Sequence, residues 1–190
     1  MMNVIKELID LPELTHFEGV VSVHQDGELI FSHADGFAHR GYRVLNTETT
    51  RFGIASGAKL FTAVAILRLV ETGQLALDQS IATILPDIGI DLDGVTVHHL
   101  LTHTSGIGDY FDEETMNDFE DVFQDTPMYR LRRPTDFLPL FRDQKRKFTA
   151  GERFHYNNAG YILLGLVIEQ LTQQTFTDHI TNELFARTEM

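Results

Sequence analysis

Residues 57–72 form an almost wholly apolar stretch that carries the signals of a helix. The sequence GAKLFTAVAILRLVET contains good helix formers and no proline, and Gly73 stands where a helix needs a left-handed terminating residue. The polar residues that interrupt it are Lys59, Thr62 and Arg68. A helix that is apolar on nearly all sides is buried in a core. Residues 159–172, AGYILLGLVIEQLT, repeat the pattern, so the sequence predicts two helices through the middle of the protein.

A hairpin before these helices and long loops between them are also predicted. Two β-rich runs, residues 19–24 and 29–33, flank Asp26-Gly27, a dipeptide that favours tight hairpin turns. Residues 102–153 are rich in glycine, proline, acidic and aromatic residues, which is typical of loops that build a site. The remaining predicted elements are a helix over 3–9, an extended stretch over 50–54 and a helix over 176–185.

The order of these elements indicates an α+β fold, with an antiparallel hairpin followed by a mainly helical region. A length of 190 residues suits one domain with a substantial core. We therefore expect a single domain in two parts. Residues 1–55 carry the hairpin and the strands that lead into the first helix, and residues 56–190 carry the helices and the site loops.

The charge of the chain argues against nucleic-acid binding. Its 28 acidic and 15 basic residues give a formal net charge of -13, which repels phosphate backbones. Basic residues cluster at 130–133 and 145–147 beside acidic stretches, and we interpret both clusters as solvated faces of mixed charge. We expect no nucleic-acid partner.

The sequence gives little support for a metal site. It contains no cysteine, which excludes disulfides, thiolate chemistry and cysteine-ligated metals. His98 and His99 are adjacent, so their side chains point apart on a helix or strand, and no aspartate or cysteine joins them at ligand spacing. We therefore predict that the chain binds no metal.

The N-terminal residues do not resemble a signal peptide. They lack a basic head followed by a long apolar stretch, and they lack a small-residue cleavage site. The longest apolar run, residues 60–67, is too short to span a bilayer. These features predict a cytoplasmic protein without a membrane span.

Ser56 and Lys59 stand three residues apart at the start of the first apolar helix, which places both side chains on one face. A serine hydroxyl becomes a good nucleophile when a neighbour takes its proton, and a lysine among apolar groups has its charged form disfavoured. The positive helix end also favours negative charge at Ser56. The structural alternative is that Ser56 caps the helix and Lys59 extends to water. Lysine is disfavoured at helix N-termini, which speaks against that alternative.

Tyr156 and Asn158 precede the second apolar helix. The Tyr-x-Asn spacing puts a phenol and an amide on the same side of an extended turn, where they supply a proton shuttle and a hydrogen-bond donor for a substrate carbonyl. The alternative is that Asn158 caps the helix that begins at Ala159 and that Tyr156 packs in the core.

Residues 100–107, LLTHTSGI, form an apolar anchor followed by a dense turn of small polar residues. Within the turn, His103 is a candidate base. A histidine in such a turn is more often a structural hydrogen-bonding group, and we favour that interpretation.

Together these stretches resemble the serine β-lactamase and penicillin-binding protein superfamily, in its branch of class C-like β-lactamases, esterases and D-alanyl-D-alanine peptidases. The matching stretches are Ser56-Gly57-Ala58-Lys59 with its apolar helix, LLTHTSGI, and Tyr156-Asn157-Asn158 followed by AGYILLG. Ser-x-x-Lys is a signature of the superfamily. The Tyr-x-Asn motif in second place points to the class C-like branch.

The resemblance implies a β-lactamase/transpeptidase-like fold and a serine hydrolase that forms a covalent acyl-enzyme on an ester, amide or β-lactam. Ser56 would attack the carbonyl, while Lys59 and Tyr156 would share the proton transfers. Asn158 would orient the substrate, and the backbone N–H of Ser56 would donate to the oxyanion. The resemblance implies a small-molecule or peptide-like substrate and no cofactor.

The resemblance also predicts a third motif, Lys-Thr-Gly or His-x-Gly, on a strand after the second helix. The sequence after residue 172 contains neither, so the match covers the N-terminal half of a family domain without its C-terminal strands. Since an isolated hairpin is marginally stable, the missing strands would come from a longer polypeptide, a second chain or self-association. An alternative function is a catalytically inactive binding or scaffold protein with the same fold.

Overall fold

The computed structural model describes residues 16–188 and 190, so the helix predicted over 3–9 lies outside the described residues. The chain divides into two compact units, Met1–Ile54 and Ala55–Met190. This division falls one residue from the predicted boundary between the hairpin part and the helical part. That both parts belong to one domain stays a prediction.

The first unit contains the predicted hairpin. Strands β1 (Gly19–Gln25) and β2 (Glu28–Asp35) pair in antiparallel register and form a two-stranded sheet. Asp26 and Gly27 between them have φ angles of 52° and 85°, the positive values of a turn that matches the right-handed strand twist. The hairpin prediction is confirmed, whereas its pairing with strands from elsewhere stays a prediction.

A second small hairpin, β3 (Phe37–His39) with β4 (Val44–Leu45), follows the first and was not predicted. Its strands are too short to show an alternating pattern in the sequence. The extended stretch predicted over residues 50–54 has no strand in the structure, so that prediction was wrong. The N–H of Thr50 donates to the carbonyl of Thr47 at 2.9 Å, which closes a turn where the strand was expected to begin.

The second unit is helical, as predicted. Its helices are α1 (Lys59–Glu71), α2 (Ile81–Ile84), α3 (Val97–Leu101), α4 (Pro134–Phe141), α5 (Asn158–Thr172), α6 (Phe176–Ile180) and α7 (Ala186–Thr188). Short 3-10 helices cover Ala55–Ala58, Phe119–Phe123 and Met128–Arg130, and a π-helical turn, Thr181–Phe185, joins α6 to α7. The three long predicted helices therefore all form. None of the helices in the described ranges is long and apolar enough to cross a membrane.

Helix α5 lies at the centre of the core of this unit. Its most enclosed residues are Leu163, Leu164, Val167 and Ile168, each with no exposed surface. Helices α1, α3, α4 and α6 all pack against it. Burial of this helix in the core is what the sequence pattern predicted for α5.

Helix α1 is buried on one face only. Ala65, Ile66 and Leu69 are buried, whereas Leu60 and Leu67 are 64% and 49% exposed. The prediction that α1 is enclosed on all sides was therefore wrong for the described residues. An apolar surface is buried only where another element packs on it, and the neighbours of α1 in this unit, α5 and α6 with its π-helical turn, cover one side of the helix.

The loops between residues 102 and 153 bring a buried segment to the start of α5. Ser105 and Ile107 are each 1% exposed, and Asp109 is 6% exposed. Gly106 makes this packing possible, because its φ is 71° and a Cβ added to it would lie 2.1 Å from the carbonyl oxygen of Phe148. These loops therefore reach the predicted site, because Asp109 contacts the backbone of Asn158.

Candidate active site

The structure brings the four predicted site residues together. The Nζ of Lys59 donates to Ser56 Oγ at 3.1 Å and to Asn158 Oδ1 at 3.0 Å. The hydroxyl of Tyr156 donates to the same Ser56 Oγ at 2.7 Å. One serine oxygen therefore receives hydrogen bonds from both a lysine and a tyrosine, and an asparagine holds the lysine from its other side.

Ser56 lies in the 3-10 turn that leads into α1 and has an exposed side chain. The residue before it, Ala55, has a φ of 44°, a left-handed value that a residue with a Cβ rarely adopts. Such backbone strain costs about 1–3 kcal/mol and concentrates at functional sites. The alternative interpretation of Ser56 as a helix cap was wrong, since Ala58 is the N-cap of α1 and no side chain caps it.

Lys59 points into the site and not into water. Its ammonium lies 4.9 Å from the ring centroid of Tyr156 and 5.7 Å from that of Tyr161, so two aromatic faces attract it. The side chain is half-buried. The expectation of apolar surroundings was therefore wrong, because polar and aromatic groups enclose this lysine.

Buried polar side chains hold the start of α5 in place. Asp109 accepts hydrogen bonds from the backbone N–H of Asn158 at 2.5 Å and of Ala159 at 3.0 Å. Asn157 caps the helix, because its Oδ1 accepts from the N–H of Gly160 at 2.7 Å. The alternative that Asn158 is the cap was wrong by one residue, and the Asn158 side chain is free to contact Lys59.

Asp109 is the site residue that the sequence did not reveal. Burial raises its pKa above the ordinary value, and the backbone donors around the carboxylate oppose that rise. An acidic residue at a helix N-terminus is a recognisable signal when it is close in sequence. Asp109 lies 49 residues before Asn158, so only the fold connects them.

His103 has the structural role that we favoured. Its Nδ1 accepts a hydrogen bond from the N–H of Asn157 at 3.1 Å, and its carbonyl accepts from the N–H of His155 at 2.8 Å. In the part of the chain that the structure describes, it makes no hydrogen bond to Ser56. It therefore braces the segment that carries Tyr156.

The sequence of this chain also matches a known protein family. The family profile described as Beta-lactamase matches residues 7–190. The chain belongs to the beta-lactamase family. The resemblance carried by the three sequence motifs is thereby confirmed.

Three relatives illustrate the match. The chain is similar to penicillin-binding protein 4* of Bacillus subtilis, with 30% identity over 92% of this chain and 37% of the relative. It is similar to the crystal structure of a penicillin-binding protein from Bacillus halodurans, with 48% identity and a TM-score of 0.85 over all of this chain and 56% of that one. It is also similar to the D-amino acid amidase of Ochrobactrum anthropi SV3, with 25% identity and a TM-score of 0.78 over all of this chain and 50% of that one.

These comparisons establish the β-lactamase/transpeptidase fold for the chain, in agreement with the predicted α+β class. They also relate it to a family of serine hydrolases. The chain spans about half the length, or less, of these three relatives.

A second polar cluster includes His155, the residue before Tyr156, and side chains from the loops. Asp112, Glu114 and His155 each offer an atom within 4.8 Å of the others, which is a spacing that suits a metal. Lys147 lies among them, donates to Asp112 and places its Nζ 2.5 Å from His155 Nε2. Partial burial opposes ionisation of Asp112, but the hydrogen bond from Lys147 holds the pKa of Asp112 below its usual value. The ammonium supplies the positive charge here, so we interpret the cluster as an ion pair that supports the loop.

Proposed function

We propose that this chain carries the acylation site of a serine hydrolase, with Ser56 as the nucleophile toward an ester, amide or β-lactam carbonyl. The observation that supports this proposal is the convergence of Lys59 Nζ and Tyr156 Oη on Ser56 Oγ. A nucleophilic serine needs a neighbouring group that takes its proton, and both neighbours lie at hydrogen-bonding distance.

In the acylation step, the proton of Ser56 passes to the Lys59–Tyr156 pair as Oγ forms a bond to the carbonyl carbon. For this step, the Lys59 amine is neutral or the Tyr156 phenol is ionised. The tetrahedral intermediate then collapses, the bond to the leaving group breaks, and the pair returns the proton to the leaving group. The product of this half-reaction is an ester between Ser56 and the acyl part of the substrate.

The surroundings of the pair suit this proton transfer. The Nζ of Lys59 lies 4.9 Å from the ring centroid of Tyr156, and the Asn158 Oδ1 fixes the direction of the lysine. Because Asp109 accepts from the backbone N–H of Asn158, the lysine is held from a helix end whose backbone donor is satisfied. These contacts place both proton-transfer groups beside Ser56 Oγ.

Charge on the carbonyl oxygen develops next to the 3-10 turn that contains Ser56. The backbone N–H of Ser56 is a donor for that oxyanion, and the positive end of α1 adds favourable potential. Release of the acyl group uses a water molecule in the position of the leaving group, with the Lys59–Tyr156 pair taking one of its protons. As the bond between the acyl carbon and Oγ breaks, the pair passes that proton to Ser56 Oγ, so the cycle closes without a cofactor.

The substrate class is proposed from the chemistry of the site and from the relatives. Two relatives are described as penicillin-binding proteins and one as a D-amino acid amidase, so β-lactams and amides are the first substrates to test. Parallel assays with a chromogenic cephalosporin, a D-alanyl-D-alanine peptide and a short p-nitrophenyl ester separate the three possibilities. We expect turnover of at least one of them, at a rate that Ser56→Ala removes.

Covalent labelling tests the nucleophile itself. A fluorescent fluorophosphonate probe should label the protein at Ser56, and Ser56→Ala should abolish the label. Ser22→Ala, which changes an exposed serine on β1, is the matched control and should label normally. A wild-type protein that binds a labelled penicillin without forming any covalent adduct would instead support the alternative of a catalytically inactive binding protein.

A further inference from the structure

The imidazole of His103 lies against the proposed proton-transfer group. Its ring centroid is 4.6 Å from that of Tyr156 and 5.1 Å from that of Tyr161, with interplanar angles of 32° and 28°. Tyr161 is itself fixed, because its hydroxyl donates to the carbonyl of Leu101 at 3.1 Å. The His103 ring therefore forms part of the surface that sets the position of the Tyr156 ring.

The hydrogen bond at Nδ1 requires a neutral His103. The N–H of Asn157 donates to Nδ1, so that nitrogen must keep its lone pair, and the ring proton is on Nε2. Asn157 stands between Tyr156 and Asn158, which means that this single bond sits in the middle of the Tyr-x-Asn motif. If Nδ1 gains a proton, two donors face each other and the bond is lost.

The charges around His103 act in the same direction. The ionisable groups that face it are Lys59 at the start of α1, Tyr156 before α5 and Tyr161 on α5. Burial lowers the pKa of His103, and the positive charge of Lys59 lowers it further. A proton added to this ring would place a second positive charge beside the tyrosine that lies against Lys59. It would also break the bond to Asn157.

We propose that neutral His103 is a positioning residue for Tyr156, and that protonation of its imidazole in mildly acidic solution releases the Tyr156–Asn158 segment from Ser56. The proposal rests on the role of Tyr156 in the proposed function. It adds a built-in pH limit, because a proton on Nδ1 breaks the bond to the N–H of Asn157. His103 does not touch the reacting atoms and acts through Tyr156.

Two variants of His103 separate the hydrogen bond of the ring from its contact with Tyr156, and a third variant is the control. His103→Asn keeps a hydrogen-bond acceptor the same number of bonds from the backbone as Nδ1, and asparagine tolerates the φ of 57° at this position. His103→Phe keeps a ring against Tyr156 but removes the acceptor. His98→Asn changes an exposed histidine on α3 and serves as the control.

The pH dependence of fluorophosphonate labelling is the first readout. In the wild type, loss of a proton from His103 is needed in addition to loss of a proton from the Lys59–Tyr156 pair, so the acid side of the log rate profile should steepen by about one unit of slope. His103→Asn should lose that extra slope and keep most of the rate at pH 8. His103→Phe should label about tenfold more slowly at pH 8, because the Asn157 N–H is left without its acceptor. His98→Asn should match the wild type, and parallel profiles for wild type and His103→Asn would overturn the proposal.

Nuclear magnetic resonance gives a readout that does not depend on activity. In Ser56→Ala protein, the ring nitrogens of His103 should show the neutral Nε2–H form, and the Tyr156 ring signals should shift with the His103 midpoint, below pH 6.5. The Tyr156 shift should be absent in His103→Asn. If labelling fails in the wild type at every pH, the proposed function fails, and this titration still decides the role of His103. A His103 titration that leaves Tyr156 unmoved would overturn the role.

Discussion

Helices α1 and α5 have similar apolar sequences, yet they are buried to different extents. Leu163 and Leu164 of α5 have no exposed surface, whereas Leu60 and Leu67 of α1 are about half exposed or more. In the part of the chain that the structure describes, helices α1, α2, α3, α4 and α6 pack against α5, whereas α1 packs against α5 and against α6 with its π-helical turn. Apolar composition therefore indicates that a helix can be buried, but the packing partners decide how much of it is.

The starts of the two helices differ even more. Asp109 and Asn157 satisfy three backbone donors at the start of α5, while no side chain caps α1. The strained residue Ala55 precedes the start of α1. The two helix starts therefore have different roles in the site. The capped start of α5 holds Asn158 beside Lys59, and Ser56 is exposed before the uncapped start of α1.

The largest effect should come from Lys59 at the uncapped end. Lys59→Ala removes the proposed base and should slow labelling of Ser56 about a thousandfold or more, if proton removal limits the step. Stopped-flow measurement with a labelled penicillin gives the rate. Lys145→Ala, at an exposed lysine, is the control and should leave the rate unchanged. An equal loss in both variants would contradict the assignment.

The next largest effect should be a difference in stability between truncations in α5 and in α1. Leu164→Ala in α5 should lower the free energy of unfolding by about 2–5 kcal/mol, because it leaves a cavity in an enclosed site. Leu60→Ala in α1 should change it by about 0.5 kcal/mol or less, as expected for an exposed position. Urea denaturation of both variants measures the contrast. Similar losses would show that the α1 face is covered in solution.

The support at the start of α5 should have an intermediate effect. Asp109→Ala leaves the N–H groups of Asn158 and Ala159 buried without acceptors, which should cost about 1–3 kcal/mol of stability. The same variant should slow labelling of Ser56, since Asn158 loses its anchor. Asp136→Ala, which removes an acidic residue from the first turn of α4, is the comparison variant and should not slow labelling. A stable Asp109→Ala protein with full labelling would show that the hydrogen bonds at the start of α5 do not support the site.

The smallest effect should be on the pH dependence of stability, through His179 on α6. Burial lowers the pKa of His179 on α6, and its Nδ1 is buried without a partner in the described part of the chain. Below the ordinary value of 6.5, the unfolded chain binds a proton that the folded chain resists, so stability should fall as the pH drops from 6.5. Denaturation midpoints should therefore decline less on acidification in His179→Leu than in the wild type. His24→Asn, on the exposed end of β1, should behave as the wild type.

Local patterns made the helices and much of the site predictable. Lys59 and Ser56 are three residues apart, and Tyr156 and Asn158 are two apart, so their spacing alone placed each pair on one face. Asp109 could not be found this way, because its partners follow 49 and 50 residues later. The exposed face of α1 was missed for the same reason, since burial depends on elements that are distant in sequence. The second hairpin escaped because β4 has only two residues.

Mass spectrometry of the acylated protein tests the central claim most directly. After incubation with a penicillin, the intact mass should rise by the mass of one penicillin, and peptide mapping should place the adduct on Ser56. Ser56→Ala protein should show no adduct under the same conditions. An adduct on any other residue, or the same adduct on Ser56→Ala, would contradict the assignment of Ser56 as the nucleophile.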